Sequence, residues 1–219
     1  MQQPRLAAGA LSLYSVLFAS CYVYSPRGAG WVAAASRKVC ERVKMIDPVW
    51  VPRYAGHVYR ASLCDPQLGA LFADDSVLVP VPGSAPAREG HWAALQLAVA
   101  LSEVGLALRV WVGLRRRTAV RKSAMAPSAG RPSVAQHYES FSTSPLGVPV
   151  RRIVLVDDVI TKGRTLLAAA ARMQAELPCA DIRAFALIRT QGFVERLDHV
   201  TEVCHGVIRW GAGDARREP

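Results

Sequence analysis

Acids are scarce in this sequence. Seventeen Asp and Glu stand against 27 Lys and Arg, a formal charge of +10. That balance favours phosphate-bearing partners, because guanidinium grips phosphate oxygens in a bidentate way. It does not separate a small phosphorylated metabolite from a nucleic acid. Paired cysteines are missing as well. Cys21, Cys40, Cys64, Cys179 and Cys204 are odd in number and widely spaced. Without a CxxC pair, neither a zinc ribbon nor a dithiol redox motif is readable. Reduced thiols in a cytoplasmic protein are the expectation. No internal repeat is visible. Nor is there a strongly apolar run of the about 20 residues that a spanning helix needs, so no membrane partner is expected. Leu6 to Tyr24 carry no charge, and Leu17 to Cys21 have a faint likeness to a lipoprotein cleavage site. Ser, Tyr and Gly interrupt that stretch, and a single base precedes it. A buried strand or core segment over Ser12 to Tyr24 is the better expectation.

What is present suits a folded domain. The 219 residues are 51% apolar, enough for one large domain or for one domain with an appendage. The Ser25–Gly30 stretch has turn composition. A helix is expected from Trp31 to about Lys44, with Trp31, Ala35, Val39 and Val43 on its apolar face and Asp47-Pro48 ending it. A second helix is expected over Tyr54 to Cys64, running on toward Phe72 after a break at Asp65-Pro66. Ser76 to Val81 reads as a short buried strand whose Pro80 and Pro82 mark an exit loop. Glu89 to Gly105 reads as a helix with Gly105 as its stop, and Arg109 to Val112 as another strand. Residues 113–150 look irregular and basic, with Arg115, Arg116, Arg117, Arg121, Lys122 and Arg131 against the single acid Glu139. A loop of that length inside a compact domain is usually functional or disordered.

Order returns with the apolar run Ile153 to Val156, closed by Asp157-Asp158. Gly163 to Leu177 is helix-like, and Ile182 to Ile188 and Val200 to Ile208 read as strands. Strand alternating with helix from residue 76 to 190 implies an α/β fold, doubly wound around a mainly parallel sheet. The chain divides on this reading into an N-terminal segment, 1–75, and a core, 76–219, that carries the basic flexible loop 113–150.

The chemistry concentrates between Ile153 and Thr165. An apolar strand delivers two acids to the C-terminal edge of a parallel sheet, where ligands of open α/β sheets bind. A Thr/Gly loop follows and a helix begins. The helix N-terminus offers free N–H groups and positive partial charge to a phosphate. Gly163 permits close backbone approach, and the Thr hydroxyls add donors. Carboxylates cannot hold that phosphate but suit the hydroxyls of a sugar attached to it.

Acid, acid, two apolar residues and then Thr-x-Gly-x-Thr resembles the signature of the type I phosphoribosyltransferase family. The resemblance implies binding of 5-phosphoribosyl-1-pyrophosphate (PRPP) or a nucleoside monophosphate. Asp157 and Asp158 would hold the ribose hydroxyls. Thr161, Lys162, Gly163, Arg164 and Thr165 would form the 5′-phosphate loop. Pro82, Gly83 and Ser84 would hold pyrophosphate, and Arg121 and Lys122 would close over the site as catalytic loop residues. Magnesium would be held mainly by substrate oxygens rather than by a protein ligand set. The implied reaction transfers phosphoribose to a nitrogenous base and releases pyrophosphate.

Val79 to Pro82 with Arg88-Glu89-Gly90, and Leu114 to Arg117 with Phe141, resemble the ComF-like branch of that family. Two departures stand out. Lys162 occupies a position where Thr or Ser is usual. Thr161 stands where some purine-specific relatives carry an acid. A non-catalytic sensor or adaptor is the alternative. Its single-stranded nucleic-acid partner would meet Trp111, Arg115 to Arg117, Arg121, Lys122, His137, Tyr138 and Phe141, a mixture of bases and aromatics. The acceptor base and any oligomer are left open.

Overall fold

The computed structural model describes residues 13–86, 92–121, 130–145, 147, 149–192 and 194–219. A seven-stranded sheet in the order β3-β2-β6-β7-β1-β8-β9 organises the chain. Its strands are β1 (Ser15–Tyr24), β2 (Ser76–Pro80), β3 (Arg109–Val110), β6 (Arg152–Ile160), β7 (Asp181–Thr190), β8 (Thr201–Gly211) and β9 (Asp214–Glu218). The five strands from β3 to β1 pair in parallel. β8 and β9 extend the sheet antiparallel beyond β1. Two short strands, β4 (Leu114–Arg116) and β5 (Phe141–Thr143), form a separate ribbon. The α/β, mainly parallel architecture agrees with the expectation.

Alternation along each strand explains the two layers of helix. On β6, Ile153 and Leu155 face one side and Val154 and Val156 the other. The first pair joins Val79, Val81, Ala184 and Ala186 against α6 (Arg164–Glu176) and the β4–β5 ribbon, near α5 (Val134–Ser140). The second joins Leu78, Phe185 and Leu187 against α1 (Gly30–Lys44), α2 (Trp50–Cys64), α3 (Pro66–Leu71) and α4 (Ala93–Glu103). A strand buried on both faces must be apolar at consecutive positions, as Ile153 to Val156 are. Ala168 to Ala171 are all fully buried, so α6 lies close on its layer.

Within the N-terminal segment, β1 sits inside the sheet between β7 and β8, and α1, α2 and α3 cover one face of it. Several local expectations need correction. The buried side of α1 is Val32, Ser36, Val39 and Val43 with Ala33 and Cys40, while Trp31 at its start is 80% exposed. α1 ends at Lys44, where the Asp47 N–H donates to the Arg42 carbonyl at 3.0 Å, and the Asp47 carboxylate accepts from the Val49 and Trp50 N–H groups at the start of α2. β6 does not close at the acids but continues to Ile160, paired with β7. The stretch after Gly113 contains β4, α5 and β5, with Ser133 and Gln136 forming a reciprocal capping box on α5.

The break expected at Asp65-Pro66 is present, and Asp65 also caps α3, its carboxylate accepting from the Leu68 N–H at 2.8 Å. Gly105, at φ +87°, ends α4 with the paired bonds Gly105 N–H to Ser102 and Leu106 N–H to Leu101. The expected start of that helix at Glu89, with Arg88, Gly90 and His91, lies outside the described residues. Pro80 needs no ladder partner. Leu78 faces β3 and receives the Trp111 N–H, so Pro80 faces the same way, beyond the end of β3.

Candidate functional site

Four parallel strands end at one edge: β2 runs out into Val81–Ser84 and β6 into Thr161–Gly163, while β7 ends at Thr190 and β1 at Tyr24. A cleft of about 440 Å³ opens there. Asp157, Asp158, Thr161, Lys162, Gly163, Arg164 and Thr165 all line it, joined by Tyr24, Arg27 and Lys44 from the N-terminal part and by Arg131. Seven residues singled out from the sequence therefore meet at one place. β2 ceases to pair with β6 at Val156, and the two acids lie on the part of β6 that projects past it. Each carboxylate accepts the N–H of the residue after it, Asp158 to Asp157 and Val159 to Asp158, both at 2.9 Å. Burial raises the Asp157 pKa well above the ordinary carboxylate range. The Asp158 carboxylate adds to the rise, and Lys44 opposes it. In its ionised form each acid can also accept from a ligand hydroxyl, beside the N–H that it already receives.

Gly163 turns the chain from β6 into α6. It is the N-cap of α6 and adopts φ +83°, a conformation that costs other residues roughly 1–2 kcal/mol. A Cβ here would lie 2.7 Å from Ile208 Cγ2. Glycine has no side chain to satisfy the first N–H groups of α6, whereas Asp65 and Ser133 do so on α3 and α5. Uncapped amides at the mouth of a cleft form an anion seat.

The remaining loop side chains divide. Arg164 turns away to Asp214 of β9, with Nε to Oδ1 and Nη2 to Oδ2 both at 2.5 Å. It also donates to the carbonyls of Arg131 and Pro132. Lys162 makes a looser 3.4 Å pair with the same acid and stays half-exposed. Arg164 thus anchors the loop, while its backbone N–H belongs to the seat. Thr161 and Thr190 exchange a hydroxyl contact at 3.3 Å. Arg217 braces the floor by donating to the carbonyls of Ile160 and Thr190.

Pro82, Gly83 and Ser84 leave β2 beside the acids but do not line this cleft. Arg116 holds them from behind. Its Nε donates to the Gly83 carbonyl and its Nη2 to the Pro82 carbonyl. Arg121 lines a separate cavity of about 400 Å³ with Thr118, Pro132 and Gln136. The neighbouring Val120 N–H donates to the Ser84 carbonyl at 2.7 Å, which ties that segment to the loop after β2. Lys122 lies outside the described residues.

The set of bases and aromatics proposed for a nucleic-acid groove does not form one surface. Arg116, His137 and Phe141 are buried, while Arg115, Arg117 and Arg121 are exposed. Arg116 and Phe141 are register partners in the β4–β5 ribbon, with the guanidinium 4.3 Å over the ring. Sequence reasoning treated Arg115 to Arg117 as a single basic set. Strand periodicity separates them, because an alternating strand buries the middle residue and exposes its neighbours. That reasoning also missed Tyr24, Arg27 and Lys44, which no local motif marks.

Among solved structures, an adenine phosphoribosyltransferase from Leishmania donovani matches over 82% of this chain and 84% of its own, at 17% identity and a TM-score of 0.28. No protein-family model matches the chain, and no curated protein matches it.

Proposed function

We propose that this cleft binds PRPP, or a nucleoside monophosphate, and that the protein transfers phosphoribose to a nitrogenous acceptor. The observation that carries this reading is the juxtaposition of paired carboxylates and an uncapped helix N-terminus in one cleft. The two halves ask for opposite chemistries, hydroxyl donors at Asp157 and Asp158 and an anion at Gly163 to Thr165. Ribose 5-phosphate presents both on one small molecule. The loop after β2 leaves the same sheet edge and would receive the pyrophosphate group.

Attack of an acceptor nitrogen on the anomeric carbon would break the bond to pyrophosphate through an oxocarbenium-like transition state. The residues described here would contribute positioning and electrostatics. Magnesium would be carried mainly by the pyrophosphate and sugar oxygens of the substrate, with Asp157 and Asp158 the carboxylates nearest to it.

The test is thermal stabilisation by PRPP with magnesium. The wild type should be stabilised, and Asp157→Asn with Asp158→Asn should remove the effect. No stabilisation of the wild type by PRPP or by any nucleoside monophosphate would refute the reading. Pyrophosphate release with an acceptor base would then separate an enzyme from a sensor.

A further inference from the structure

A buried polar cluster behind the cleft is not used by the reading above. Arg116 is 5% exposed, His137 4% and Ser140 2%. Arg116 meets no carboxylate oxygen within hydrogen-bonding distance among the described residues. Its partners are the Pro82 and Gly83 carbonyls, the Ser140 hydroxyl and His137 Nδ1, the last at 3.4 Å. A buried cation satisfied by neutral acceptors is costly and invites a reason for its presence.

Peptide geometry supplies one. In a trans peptide the C=O and the following N–H point in opposite directions. Arg116 draws in the Pro82 and Gly83 carbonyls, so the N–H groups of Gly83 and Ser84 point away from it. Among the described residues neither N–H donates to the protein. The other side of the cluster works on the second loop. Guanidinium cannot accept a hydrogen bond, so Nδ1 of His137 must be the acceptor. The imidazole proton then resides on Nε2, which lies 3.5 Å from the Thr165 hydroxyl. If Nε2–H donates to Thr165 Oγ, that hydroxyl's own hydrogen is free for another acceptor. Burial first, and then the charges of Arg116 and Arg164, pull the His137 pKa down to about 3, so the ring is neutral at working pH.

We infer that Arg116 and His137 are a buried pair of positioning residues that set the donors of both anion loops together, the Gly83 and Ser84 amides for pyrophosphate and the Thr165 hydroxyl for the 5′-phosphate. This rests on the phosphoribosyl reading of the cleft. The pair lies behind the loops and touches no reacting atom. Because one side chain bonds the other, a shift of α5 moves both loops.

The experiment measures calorimetric affinity for pyrophosphate and for ribose 5-phosphate separately, with magnesium, on the full chain. Asn in place of histidine can mimic Nδ1, and Gln can mimic Nε2. His137→Asn should weaken ribose 5-phosphate about tenfold, the loss of one hydrogen bond to a charged ligand, and pyrophosphate by less. His137→Gln should restore most of the lost ribose 5-phosphate affinity. Arg116→Lys keeps the charge but not the planar fork, and should weaken pyrophosphate more than ribose 5-phosphate. Equal losses in His137→Asn and His137→Gln, or none in either, would overturn the inference. So would a proton found on Nδ1 by nitrogen NMR. If the His137 variants do not fold, Thr165→Val should show the ribose 5-phosphate loss and Thr165→Ser should not. No difference between those two overturns the inference as well. A wild type that binds neither probe refutes the underlying reading instead.

Discussion

Replacing Gly163 with alanine should destabilise the fold through backbone strain and through overpacking, and the two contributions can be separated. The backbone at φ +83° would be strained by any Cβ, at about 1–2 kcal/mol. The new methyl would also lie 2.7, 2.8 and 2.9 Å from Cγ2, Cγ1 and Cδ1 of Ile208. Ile208 is fully buried in the layer beneath α6 and cannot swing into solvent, so overpacking adds about 1–3 kcal/mol. The sum, about 2–5 kcal/mol, lowers the melting temperature by about 5–15 °C in a chain of this size. Urea unfolding of a double-mutant cycle with Ile208→Ala separates the parts. Ile208→Ala alone costs about 2–5 kcal/mol through its cavity. In that background Gly163→Ala should cost only the strain, leaving a coupling of about 1–3 kcal/mol. A Gly163→Ala protein that melts within about 1 °C of the wild type, or whose cost is unchanged by Ile208→Ala, would refute the reasoning.

Other outcomes follow from the same geometry. Asp157→Asn should raise the melting temperature at neutral pH while removing ribose 5-phosphate binding, because the native state holds this carboxylate with a raised pKa. The sign follows from linkage. The protonated native acid stabilises below the ordinary value of 3.8, and that stability is lost as pH rises through the raised native value. Unfolding at pH 5 and pH 8 should therefore show a smaller decline in the variant. His137 acts with the opposite sign, since its lowered pKa makes stability fall as pH drops from 6.5 toward about 3. His137→Gln should flatten that limb in an acid titration followed by circular dichroism. Asp214→Ala strips Arg164 of its bidentate partner and should cost about 1–2 kcal/mol in urea unfolding.

Much of the frame was legible because its signals are local. Consecutive apolar residues mark a strand buried on both faces, so Ile153 to Val156 could be placed in a parallel sheet. Gly105 acts through residues within one turn, and its role as helix stop could be read directly. The position of β1 was not legible. Its sequence announces a buried strand, but pairing with β7 in parallel and β8 antiparallel brings together residues more than 160 apart. No local pattern encodes that choice. The candidate site divides along the same line. Asp157 to Thr165 are contiguous and were found together. Tyr24, Arg27 and Lys44 enter the cleft only because β1 lies inside the sheet.

Arg116 shows why composition misleads at the decisive point. Counting charges groups it with Arg115 and Arg117 as a basic face, and a basic face suggests nucleic acid. Strand alternation takes the middle arginine out of that face and buries it. Burial lowers its pKa to about 10, and the Asp157 carboxylate opposes the fall. The same Asp157 is the acid whose ionisation burial resists. The two groups make no direct salt bridge, yet the Asp157 charge makes Arg116 less costly to bury, and a charge–charge attraction acts on both partners. The electrostatics of the ribose acids and of the arginine behind the β2 loop are therefore one problem. Removing the Asp157 charge should deepen the burial cost of Arg116 even as it relieves its own. Asp157→Asn in an Arg116→Met background should consequently stabilise more than Asp157→Asn alone, and equal effects in the two backgrounds would show the charges to be independent.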